Sequence, residues 1–130
     1  MKKFISGGDD LPAWTSPISH AVVVDNICYL SGQLSIDGNG AYVPGTVEEE
    51  TSRAFGNLFA ALRAAEFSRD DLVFVDVVLA DIADTIHVNG VYARLFPVDR
   101  RPARTVCQAA ALPFGARVKV MGVAIKERPA

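Results

Sequence analysis

The sequence predicts an α+β fold in which one mixed β-sheet carries two helices on a single face. Three observations lead there. Residues 72–80, Leu-Val-Phe-Val-Asp-Val-Val-Leu-Ala, are nearly continuous apolar and β-branched, the composition of an inner strand covered on both faces. Two stretches, 46–66 and 84–95, repeat apolar residues at helical spacing. The other apolar runs are short and bounded by turn residues, enough for a sheet of about five or six strands.

Taken in order, an edge strand lies around Phe4-Ile5. The stretch from Leu11 to His20 contains Pro12 and Pro17 and has no period, so it is ordered only by contact with other parts of the chain. Ala21-Val22-Val23-Val24 and Ile27-Cys28-Tyr29-Leu30 flank the turn pair Asp25-Asn26, which predicts a hairpin. Ser31-Gly32-Gln33 then interrupts the second run, where a glycine marks a bulge or a close approach of backbone to ligand. Gly38-Asn39-Gly40 is a turn. Thr46 and Glu49 form a capping box, and Ala54, Phe55, Leu58, Phe59, Leu62 and Ala65 follow as one stripe, so the first helix ends near Glu66. The second places Ile86, Val88, Val91, Tyr92 and Leu95 on one side, and Pro97 stops it. Strands at about 104–110 and 117–126 close the chain.

The 130 residues suffice for one domain, residues 1–130, with one core. Half are apolar, yet no run approaches the roughly 18 needed to span a bilayer, and no apolar segment follows Lys2-Lys3 to make a secretory signal. A cytoplasmic protein without membrane contact is expected. The net charge of −2 argues against nucleic acid as a partner. Cys28 and Cys107 lack metal-type spacing and lie in strand-like runs, which predicts reduced core thiols. Two helices cover only one face of such a sheet, so the apolar pattern of the other face predicts a homo-oligomer.

The stretch with most chemistry is Arg101-Pro102-Ala103-Arg104-Thr105, followed by Leu112-Pro113-Phe114-Gly115. Pro102 stiffens the entry to a strand, and Arg104 stands at its mouth, a mount suited to gripping a carboxylate. With Ser31-Gly32-Gln33, Val77-Val78-Leu79-Ala80-Asp81 and Val88-Asn89-Gly90-Val91-Tyr92, these motifs resemble the RidA (YjgF) family of imine and enamine deaminases, some of which carry the label endoribonuclease L-PSP. The resemblance spans essentially the whole chain. It implies a chorismate-mutase-like fold, a homotrimer with a central β-barrel, and active sites between subunits. It also implies that Arg104 binds a substrate carboxylate, and that the backbone at Gly32 and the side chain of Asn89 contribute to the site. No metal or organic cofactor is implied.

Three departures bear on the chemistry. The cysteine common two residues after the arginine is Val106 here, with Cys107 one place later and so on the other side of the strand. Ile18 takes the place of a tyrosine on the N-terminal loop. Lys119 takes the place of the glutamate credited with positioning water, and is expected to face the same cleft as Arg104. Two cations there would call for a second acidic group on the substrate, as in an aminomuconate-like enamine. His20, whose ring titrates near neutrality, is the candidate to place the water, so His20 and Lys119 are the candidate catalytic positions and Ile18 a substrate contact. His87 reads as a helix-face residue with no role. The expected function is hydrolytic deamination of a small carboxylate-bearing imine or enamine, a 2-imino acid or an aminomuconate-like one. The alternative is a trimeric small-anion binder of the same fold without catalysis.

Overall fold

The computed structural model of the chain describes residues 1–8 and 10–128. Strands β1 (Lys2–Ile5), β2 (Ala21–Val24) and β3 (Ile27–Gln33) precede helix α1 (Val47–Ala64). Then come β4 (Leu72–Leu79), α2 (Thr85–Leu95), β5 (Ala103–Gln108) and β6 (Val118–Ile125). They form one six-stranded sheet in the order β1-β2-β3-β6-β4-β5. β4 and β5 run parallel across the α2 crossover, and the remaining pairs are antiparallel. The mixed sheet with two helices is therefore as the pattern predicted.

Local chemistry accounts for the helix ends. The Thr46 hydroxyl accepts from the Glu49 amide at 3.1 Å, and the Glu49 carboxylate accepts from the Thr46 amide at 2.9 Å. α2 starts after Asp84, preceded by a 3₁₀ turn at Ile82–Asp84. Its apolar side is narrower than the spacing implied: Val88, Val91 and Tyr92 are buried, whereas Ile86 is exposed. Between the helices lies an aromatic cluster. Phe55 packs edge-on against Tyr92 and Phe96 with centroids 5.7 and 5.9 Å apart, and Tyr92 and Phe96 are 4.7 Å apart.

Side-chain alternation divides the sheet sharply. Val75, Val77 and Leu79 of β4 and Val118 and Val120 of β6 are fully buried beneath the helices. The intervening Phe74, Asp76, Val78, Lys119, Met121 and Val123 are half-buried on the face that no helix covers. Within one chain only the helix side of β4 is covered, as two helices for one sheet imply, and the apolar residues of its other side are left for a further copy to cover. Cys107 corrects the expectation of a core thiol. It is exposed on the uncovered face, while Cys28 is buried, and both thiols are free.

β4 and β6 shift register between Leu72 and Phe74, where Gly122 faces the chain. A Cβ on Gly122 would stand 2.5 Å from the Phe74 carbonyl oxygen, a contact that backbone has to yield to. Gly122→Ala should thus lower stability by about 1–3 kcal/mol through forced separation of the two central strands. Urea unfolding measures this, and an unchanged midpoint would show that the bulge absorbs the methyl group.

Candidate functional site

Two clusters of chemistry emerge, and they lie on opposite faces of the sheet. The first centres on Arg104. It pairs in register with Val75, so it projects on the helix side, where its guanidinium carbon sits 4.7 Å above the centre of the Tyr92 ring. Among the described residues it has no ion-pair or hydrogen-bond partner, so the planar fork of donors is unused. The Tyr92 hydroxyl beneath it is buried without a partner among the described residues. Burial raises the Tyr92 pKa, and the positive charges of Arg104 and Arg101 act the other way. Asn89 is exposed on α2, one turn before Tyr92 and on the same side.

The second cluster is a cleft of about 320 Å³. Trp14, Ile18, Leu34, Ile36 and Phe114 supply its apolar walls, and Lys119 is the one ionisable side chain lining it among the described residues. Gly32 sits in the bulge between Leu30 and Gln33, opposite Lys119. A Cβ there would come within 2.9 Å of the Lys119 Cδ, so in this chain Gly32 makes room for the lysine stem. The structure thus brings Ile18, Gly32 and Lys119 together. It does not bring Arg104 to them: Lys119 pairs with Val78 and Arg104 with Val75, three residues apart and hence on opposite faces. Within one chain, then, the two cations do not share a cleft.

His20 is also placed differently from the sequence reading. It is buried, with Nε2 donating to the Pro12 carbonyl at 3.0 Å and Nδ1 accepting from the Gln33 amide at 3.0 Å. A carbonyl can only accept, so these partners fix the neutral tautomer and leave no nitrogen for a water. Burial lowers its pKa below 6.5, with the Pro12 hydrogen bond opposing. The ring lies 4.2 Å from that of Trp14 and braces this cleft wall. His87 is on the surface, with Nδ1 3.0 Å from a Glu48 oxygen.

Several residues that shape the cleft escaped the sequence reading. Arg53 and Asn57 lie off the apolar stripe of α1 yet do not face solvent alone. Asn57 donates to the carbonyls of Leu34 and Ile36 at 3.0 Å, and Arg53 donates to the Ser35 hydroxyl at 2.7 Å, pinning one wall. Glu50 is fully buried, accepting from the Tyr42 hydroxyl at 2.7 Å and the Arg117 amide at 3.1 Å. Burial, reinforced by Glu50, pushes the Tyr42 hydroxyl up to about 12. Tyr42 in turn stacks on Phe114 with centroids 6.1 Å apart and planes 8° from parallel. The available signal was an aromatic residue set in a Pro-Phe-Gly turn, where a solvated loop has no use for one.

Residues 9–126 match the model of the endoribonuclease L-PSP family. The chain belongs to this family. It is 43% identical over 127 residues to a Bos taurus protein named 2-iminobutanoate/2-iminopropanoate deaminase, covering 97% of this chain and 91% of that one. A human protein of the same name is 40% identical over 116 residues, covering 88% and 84%. The fold matches the crystal structure of RidA from the Antarctic bacterium Psychrobacter sp. with a TM-score of 0.88 at 31% identity, over 95% of this chain and 100% of that one. Yeast Mmf1 matches with a TM-score of 0.89 at 28% identity, over 98% and 100%. No helix among the described residues is long and apolar enough to cross a membrane.

The neutral, buried His20 has a consequence for stability. Its folded-state pKa lies below that of the unfolded chain, so below about pH 6.5 the unfolded state binds more protons. Stability is then full above that pH and declines as pH falls toward the depressed folded value. Thermal unfolding between pH 7.5 and 5 should show the decline. His20→Gln should flatten it in that window, and an equal slope in both proteins would assign the titration elsewhere.

Proposed function

We propose that this chain is a cytoplasmic hydrolytic deaminase of small imines or enamines bearing a carboxylate, either 2-imino acids or aminomuconate-like enamines. The observation that carries this reading is the Arg104 guanidinium, seated on Tyr92 with no donor used among the described residues. A charged fork held rigidly and left unpaired suits a carboxylate that arrives with the substrate. The deaminase names of the bovine and human relatives support the same reaction class.

The reaction asks little of general acid–base chemistry. A protonated imine is already electrophilic at carbon. Water adds there, the nitrogen takes a proton, and collapse of the adduct expels ammonia and leaves a keto acid. Holding the carboxylate by Arg104 orients the imine carbon toward a water, which converts a chance encounter into a positioned one.

Because Arg104 and the Lys119 cleft occupy opposite faces of one sheet, we further propose that the complete site forms between protomers of a trimer. The uncovered face supports this. It presents Phe4, Tyr29 and Ile125 at 63%, 51% and 40% exposure, an apolar surface suited to a second copy. Sites between subunits would then meet the small carboxylate-bearing metabolite without nucleic acid or membrane. One observation favours the alternative, a trimeric anion binder without catalysis: no carboxylate lines the cleft among the described residues, and Lys119 stands where water would need an acceptor.

Arg104→Ala should weaken binding of a small 2-keto carboxylate tenfold to a hundredfold, in line with about 1.5–3 kcal/mol for a charge-assisted pair. Arg104→Lys should recover only part of it, since the ammonium lacks the planar fork. Calorimetric titration, paired with ammonia release from freshly generated imines, reads both. Unchanged carboxylate affinity in Arg104→Ala would place the anchor elsewhere, and binding without ammonia release in the parent would select the non-catalytic alternative.

A further inference from the structure

We propose that the Lys119 cleft selects imino or enamino acids whose side chain is a flat apolar body, an aromatic ring above all, ending in a second anionic group that pairs with Lys119. The inference rests on the proposed reaction for its first carboxylate, which goes to Arg104.

The charge comes first. Lys119 is the sole ionisable side chain on the cleft wall, and it has no ion-pair or hydrogen-bond partner among the described residues. Its stem is laid against the Gly32 bulge, in a space that any side chain at Gly32 would fill. A half-buried cation lining a cleft whose other walls include Trp14, Ile18, Leu34 and Phe114 suits an anion that arrives with the ligand. Within one chain Arg104 lies on the other face of the sheet, so where the proposed junction brings it to the cleft of a neighbouring copy the site holds two cations, and Lys119 calls for an anionic group besides the carboxylate on Arg104.

The body of the ligand follows from Phe114. Its backbone φ is 63°, a conformation that bulky residues rarely adopt. The residue is 61% exposed although it is apolar. Strain and exposure together persist because Tyr42 stacks flat on the ring and is itself tied to buried Glu50. The chain therefore holds a phenyl ring at the rim of the cleft, with Trp14 on another wall. Two aromatic walls around about 320 Å³ suit a planar apolar body, with one placed charge to orient it.

Three probes separate the elements. 4-Carboxyphenylacetate has a ring and two charges, phenylacetate has the ring and one charge, and glutarate has two charges and no ring. Binding is read by calorimetry and by the emission of Trp14, the single tryptophan of the chain. The parent should bind 4-carboxyphenylacetate on the order of tenfold tighter than either of the others. Lys119→Met should reduce it to the level of phenylacetate, and Phe114→Ala to the level of glutarate. Equal binding of 4-carboxyphenylacetate and phenylacetate by the parent, or a preference that survives Lys119→Met, overturns the inference. So does a Phe114→Ala protein that changes in assembled mass but keeps its preference for the ring, since the ring is then a subunit contact. Arg104→Ala keeps the two readings apart. General loss of carboxylate binding there, with no preference among the probes in the parent, leaves the deaminase reading standing without this one. Intact preferences with an indifferent Arg104→Ala do the reverse.

Discussion

Strand alternation is the constraint on which the rest depends. β5, β4 and β6 are locked in register, so each side chain on them is committed to one face. Arg104 falls beside Val75 and Gly122 beneath the helices, while Lys119 falls beside Val78 on the uncovered face. A one-residue shift in the β4–β5 pairing would turn Arg104 to the uncovered face, and one in the β4–β6 pairing would turn Lys119 beneath the helices. The separation of the two cations is thus enforced by the core, because Val75, Val77 and Val120 hold the register by being fully buried.

Helix α1 serves both faces of this arrangement. Its apolar stripe carries Phe55 and Phe59 against Phe96, with Phe55 also meeting Tyr92, and the Tyr92 ring supports the Arg104 guanidinium. Its polar side reaches the other way. Arg53, Asn57 and Glu50 tie down residues 34–36, Tyr42 and the start of β6, which shape the cleft around Lys119. Packing in the helix layer therefore fixes the anion anchor, and hydrogen bonds from the same helix fix the cleft.

The fold was legible because its signals are local. The capping box at Thr46, the Asp25-Asn26 turn and the apolar run at 72–79 each specify an element from a few neighbouring residues. The single-sided cover of β4 followed from there being only two helices, whereas its own apolar run does not distinguish a strand awaiting a partner copy from one already covered. At the site, Arg104, Gly32, Ile18 and Lys119 were singled out from their motifs, but their grouping was not, because which residues share a face depends on register between distant strands. His20 was misread for a similar reason. A titratable ring near a loop suggests proton transfer, and only the positions of Pro12 and Gln33 reveal that both nitrogens are engaged. Glu50 is by position a first-turn helix acid, and nothing local distinguishes that from a buried acceptor.

The central claim is that a complete site draws on two copies of the chain. Arg104→Ala removes the anchor, and Ile18→Trp fills the cleft from a partly exposed position that leaves the core intact. Each variant is first assayed alone for ammonia release, where both should be inactive. Unfolded together in equal amounts and refolded, the mixture should regain about a quarter of the parent activity, the fraction of junctions that pair an intact Arg104 with an intact cleft. No recovery from a mixture that assembles like the parent would mean that one chain holds the whole site, and would contradict the account.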